Sequence, residues 1–199
     1  MNYNNKRTAG LLFVVGVVQF VLAIVISEAA YSGYNMGQQA MSDLGDWSLA
    51  GNNAAIFNAS IILSGMLIIA GAYFIHRGFK NRLFTSLLVI YGVGGVGVGL
   101  VAENISLPVH GIFALFAMVS GAAFAIMSYK FEKSPFSHIS VILGAVPLLA
   151  LVLFLLGQGN SGFYLGIGLG GMERLVIYPI LLWLFGFGAY LIGDSSDTT

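Results

Sequence analysis

Apolar residues fall into six long blocks along the chain, each cut off by a short polar or glycine-rich stretch. The blocks cover residues 9–26, 54–75, 83–102, 109–129, 139–156 and 175–192. At a helical rise of about 1.5 Å per residue, runs of roughly 18–22 residues match the roughly 30 Å hydrocarbon core of a bilayer. The pattern predicts an all-α integral membrane bundle of six transmembrane helices. It forms one polytopic domain over residues 1–199, with a long first outer loop.

The first block, interrupted by Gln19, follows Lys6 and Arg7 and precedes Ser27-Glu28-Ala29-Ala30. That arrangement mimics a secretory signal, but the block is longer than the usual apolar region of about 7–15 residues, so it reads as a retained helix. Residues 27–53 form the longest stretch between blocks. They carry Tyr31, Tyr34 and Trp47 and no lysine or arginine, which suits the membrane interface. A short amphipathic helix lying on the surface is expected around residues 38–44. Asn58, Ser60 and Ser64 are spaced to share a face of the second helix. Gly92, Gly95 and Gly99 form a small-residue stripe on the third, of the kind that lets helix backbones approach closely in lipid. Pro108 is placed to open the fourth helix, and Pro147 and Pro179 predict kinks in the fifth and sixth. Residues 158–171 are glycine-rich, with Phe163 and Tyr164 as interface anchors, and residues 194–199 form a polar tail. The two halves show no similarity of the sort that marks inverted-repeat transporters.

Composition agrees with this reading. The 199-residue chain is 58% hydrophobic and 8% charged, with a mean hydropathy of +0.90; soluble domains average about 25% charged residues. A net charge of zero gives no bulk attraction to nucleic acid. Without cysteine there is no disulfide or thiol chemistry, and no cofactor motif is present. Lys6, Arg7, Arg77, Lys80, Arg82, Lys130 and Lys133 fall on one side of a six-span topology, together with both termini. The positive-inside rule makes that side cytoplasmic, in the cell membrane. Glu28, Asp43, Asp46, Glu103 and Glu173 fall on the outer side, where Arg174 is the one cation.

Arg174 is therefore the residue that most needs a partner. At the entrance of the sixth helix the backbone dipole favours Glu173 and disfavours a cation. Charges at membrane depth normally pair, so the plain reading is an ion pair with Asp43, Glu103 or Glu173 that holds the outer loops over the bundle. A guanidinium also grips phosphate, which makes a lipid headgroup or a small amphiphilic ligand the functional alternative. His110 reads first as a hydrogen-bonded structural residue. As a base it would need an orienting carboxylate, which Glu103 could supply. A metal centre would need about three protein ligands; His110 with Asp43 and Glu103 or Glu173 is an unsupported set, so no metal is expected. Asn104-Ile105-Ser106 matches a glycosylation sequon but lies against the bilayer and reads as structural.

Ser42-Asp43-Leu44-Gly45 in the long outer loop, Asn58 early in the second helix, His110 starting the fourth and Gly171-Met172-Glu173-Arg174-Leu175 starting the sixth make up a combination. It resembles an uncharacterised, largely archaeal family of six-helix prokaryotic membrane proteins, domain of unknown function 998. The resemblance implies this topology, with the motif residues on the outer side, and no known activity. Three functions stay open. The first is an outward-facing polar pocket that binds a membrane lipid headgroup or small amphiphile through Asp43, Glu103, His110, Glu173 and Arg174. The second is a lipid-modifying enzyme using His110 and Glu103. The third is a small-solute carrier, for which the inner half offers only Gln19, Ser86 and Ser128.

Overall fold

The computed structural model describes residues 3–193, so the polar tail expected at residues 194–199 lies outside the described residues. The architecture is six helices: α1 Tyr3–Ala30, α2 Ala54–Phe79, α3 Arg82–Leu100, α4 Glu103–Ser128, α5 Phe136–Gly157 and α6 Gly168–Gly193. All six are long and apolar enough to cross a membrane, and the described residues contain no strand. Each helix packs on its neighbour in sequence and α6 closes back on α1, giving a ring, while a smaller α4–α6 contact sets α5 to the outside. Outward-facing residues are large and apolar: Leu22, Leu149 and Leu182 are 58%, 68% and 63% exposed. Such a surface is a liability in water and the expected one against lipid tails.

Several helices exceed their apolar blocks. α1 begins at Tyr3 and runs to Ala30, and α6 begins at Gly168 rather than at 175. Apolar blocks mark the hydrocarbon layer, but a chain leaving it must still satisfy its backbone groups, and continuing the helix does so. One consequence concerns Arg174. It sits in the second turn of α6, past the first turn over which the dipole acts strongly, so its placement costs less than the block boundary implied.

The prolines separate into two kinds. α5 continues through Pro147 and α6 through Pro179, so neither predicted kink breaks its helix. The internal break is in α4 at Ser106 (φ −162°, ψ 97°). Proline lacks an N–H and its ring clashes with the carbonyl four residues earlier; here that is Asn104. Residues 103–105 therefore form a separate turn, and Pro108 opens the main helix as expected.

Close packing of α3 follows from its glycines. A methyl on Gly92 or Gly99 would stand 2.7 Å from the Gly65 or Asn58 carbonyl oxygen of α2, and one on Gly94 would stand 2.7 Å from the Phe113 carbonyl of α4. α3 is thus held between two neighbours at backbone contact, where dispersion replaces the hydrophobic drive that lipid cannot supply. Toward the end where α1 begins, α6 finishes and the basic loops lie, the interior is aromatic. Phe84, Phe124, Trp183 and Phe187 are fully buried, with ring centroids 4.2 Å apart for Phe84–Phe124 and 4.8 Å for Phe124–Trp183.

The long loop differs most from expectation. No amphipathic helix lies on the surface at residues 38–44. A single 3-10 turn, Ser42–Gly45, is sunk among α1, α2 and α4, with Met41 and Leu44 1% and 0% exposed. Gly45 allows this, because any side chain there would collide with Phe57 and the Asn58 amide. Asn58 Nδ2 donates to the Gly45 carbonyl at 2.8 Å, which anchors the turn to α2.

Candidate functional site

Arg174 gathers the acidic end of the bundle. Its Nη2 donates to Glu28 Oε1 at 2.7 Å and to the Tyr34 hydroxyl at 2.5 Å. Nη1 donates to the carbonyls of Met36, Gly170 and Gln39 at 3.0, 3.0 and 3.3 Å, while Nε is buried without a partner. The residue is 5% exposed. The partner is therefore Glu28, in the last turn of α1, and not Asp43, Glu103 or Glu173. The helix dipole explains the choice: a carboxylate at a helix carboxyl terminus is itself disfavoured, so the α1 anion and the lone cation relieve one another. Gly170 is part of the same device, because a methyl there would fall on the Gln39 and Met36 carbonyl oxygens that Arg174 binds. Burial pushes the Tyr34 phenol up to about 12, against the opposing pull of Arg174. It stays protonated and donates to the Ala40 carbonyl at 2.7 Å.

Glu173 faces the other way. Its Oε2 accepts a short hydrogen bond from the Met41 backbone N–H, and Oε1 has no hydrogen-bond partner among the described residues. The side chain forms no ion pair among the described residues and is 5% exposed. Gly170 N–H donates to the Gly37 carbonyl at 3.0 Å, so α6 holds the loop at three successive points. Asp43 closes the loop on itself by accepting from Ala40 N–H at 3.0 Å. Burial, and then the nearby Glu103 charge, raise its carboxyl above the ordinary carboxylate range.

His110 is buried, and its Nδ1 lies 2.8 Å from the Val101 carbonyl at the end of α3. A carbonyl only accepts, so Nδ1 carries the proton. Nε2 lies 3.6 Å from Glu103 Oε1. In the neutral ring both of those atoms are acceptors, so the contact becomes attractive only when one of them takes a proton. Among the described residues no three His, Asp or Glu side chains converge in a way that could hold a metal ion. Asn104 Oδ1 accepts from Trp47 N–H at 3.3 Å, a loop contact.

Beneath the loop lies a cavity of about 80 Å³. One water needs roughly 10–15 Å³ of such space, so the cavity admits several waters or a short chain. Met41, Ser42, His110 and Glu173 line its mouth, and Phe57, Ile61, Ala114, Met118 and Ile177 are among the apolar residues of its wall. Tyr91 also lines it, is 9% exposed, and has no hydrogen bond among the described residues. α5 contributes nothing to the lining.

The family model described as a protein of unknown function (DUF998) matches residues 14–190. The chain belongs to that family. No curated protein and no solved structure matches it.

In this DUF998 chain the acid that pairs with Arg174 is one the sequence pattern did not single out. Arg174, Glu173, Asp43, Glu103 and His110 all lie at the acidic end, but Arg174 stands with Glu28 and Tyr34 while Glu173 and His110 meet at the cavity mouth. An anion in the last turn of α1 was a readable signal for Glu28, since it needs a cation as much as Arg174 needs an acid. Tyr91 offered no such signal, being one aromatic residue in an apolar run. The residues named for a polar path are committed elsewhere. Gln19 Nε2 donates to the Gly16 and Ser60 carbonyls at 2.9 Å each, Ser128 to the Ala125 carbonyl at 2.6 Å, and Ser86 lines a separate groove with His76 and Arg82.

Proposed function

We propose that the protein binds a small, single-tailed amphiphile in this cavity, with the acidic end facing out of the cell membrane. The observation that carries the reading is a largely apolar cavity with Ser42, His110 and Glu173 at its mouth, capped by a loop that α6 holds in place. Ligand sites are generally of this kind, apolar walls with a few placed polar groups. The aromatic cluster below Tyr91 supports binding over carriage, since it fills the route toward the basic end. The commitment of Arg174 to five protein acceptors supports a structural role for it and leaves the head of the ligand to Ser42, His110 and Glu173. Protein extracted in mild detergent and released in a mass spectrometer should carry or take up one such molecule. Ala114→Phe, which fills the cavity, should lose it while staying folded. A wild-type protein that takes up no small amphiphile would reject the reading.

A further inference from the structure

Which head the cavity would accept follows from the charges at its mouth. Glu173 is buried, holds one N–H on one oxygen and keeps the other oxygen unpartnered at the cavity lining. Glu103 stands 3.6 Å from His110 Nε2, and Asp43 senses the charge of Glu103. The one cation of this end, Arg174, is turned away and bonded to Glu28, Tyr34 and three carbonyls. An anionic head would meet the Glu173 carboxyl group at the lining, with the Arg174 guanidinium committed elsewhere. A head that donates hydrogen bonds and carries positive charge would meet an unpaired carboxylate oxygen.

The tail has a length scale as well. Glu173 and Ile180 line the cavity on the same helix, and seven residues of helical rise separate them by about 10 Å, the reach of a chain of roughly eight carbons. Tyr91 stands at that depth, since both its ring and Ile180 border Gly121; it is a nine-tenths-buried polar side chain with no hydrogen-bond partner among the described residues, lining the cavity floor. Lipid tails are as apolar as the cavity wall, so burying the tail gains little over leaving it in the membrane. Discrimination therefore rests on the head.

We infer that the cavity selects a protonated primary amine on a short alkyl chain, with the ammonium on Glu173 Oε1 and the chain running toward Tyr91. This rests on the proposed amphiphile binding and names its ligand class. The test is competition in lipid nanodiscs, using the full chain and a photoactivatable octanol whose adducts are mapped by mass spectrometry. Octylamine, octanol and octyl phosphate are compared at equal membrane-bound concentration and neutral pH. Octylamine should displace the probe at a tenfold or more lower concentration than octanol, and octyl phosphate should be the weakest. Glu173→Gln, whose amide oxygen still accepts from Met41, should bring octylamine to the octanol level and leave octanol unchanged. Equal displacement by all three heads, a preference for phosphate, or an amine preference that survives Glu173→Gln would overturn the inference while leaving amphiphile binding intact. No adduct on any cavity residue would overturn both. A long-chain amino-lipid that competes as well as octylamine would place the same head on a membrane lipid; competition by octylamine alone would place it on a free amine.

Discussion

Replacing Arg174 with methionine keeps much of the side chain's volume and removes its five hydrogen bonds. Glu28 would lose its ionic partner, and the carbonyls of Met36, Gln39 and Gly170 would lose a donor. Breaking a buried ion pair by deleting one partner costs about 3–5 kcal/mol. Here the lower end applies, because the Glu28 side chain is 16% exposed and water at the membrane edge can partly solvate it. We expect Arg174→Met to destabilise by about 3 kcal/mol. Arg174→Lys, which can reach the carboxylate or the carbonyls but lacks the fork to hold both, should cost about 1–2 kcal/mol. Glu28→Met should also destabilise, and the double variant should lose less than the sum, because no charge is then stranded. Unfolding of the purified protein in mixed micelles gives these energies. Hydrogen exchange gives the location: amides of residues 36–41 should lose protection before the helices do. An Arg174→Met protein within about 1 kcal/mol of wild type, with unchanged exchange in that segment, would show that the clasp does not hold the loop.

Other consequences are as direct. Gly45→Ala should cost about 1–3 kcal/mol through overpacking, and Asn58→Ala should recover part of it in the double variant, since the Asn58 amide is what the new methyl meets. Asp43, raised above the ordinary carboxylate range, binds its proton more tightly folded than unfolded; that stability is present below its ordinary value and is lost as pH rises through the folded one. Asp43→Asn should flatten this fall in a pH series of thermal unfolding curves, and an unchanged slope would refute the assignment. Because the chain has no cysteine, single-cysteine variants report its orientation cleanly: in intact cells Leu49→Cys should react with a membrane-impermeant thiol reagent and Lys80→Cys should not. The reverse pattern would invert the proposed topology.

Six apolar blocks, separated by loops of opposite charge, made the helix count and the grouping of the acidic residues readable in advance. Hydropathy answers the question the bilayer poses, and the bilayer poses it residue by residue. Helix ends were less legible because backbone satisfaction, which hydropathy does not register, carries α6 back to Gly168 and places Arg174 in its second turn. The loop was misread for a related reason. Its turn looks amphipathic in isolation, but Gly45 and Asn58 are complementary across the fold, and that pairing draws Met41 and Leu44 into the interior. The cavity was not legible at all. It is the space left where Gly95, Ala114 and Ala117 oppose one another, and such voids depend on how helices rotate against their neighbours.

The most direct test of the central claim is a map of where a photoactivatable alkyl probe attaches to the wild-type protein in lipid nanodiscs. Cavity binding requires adducts on residues such as Tyr91, Ala114 and Ile177, competed by unlabelled amphiphile and lost in Ala114→Phe. Adducts confined to lipid-facing residues such as Leu22, Leu149 and Leu182, with no competition, would contradict it.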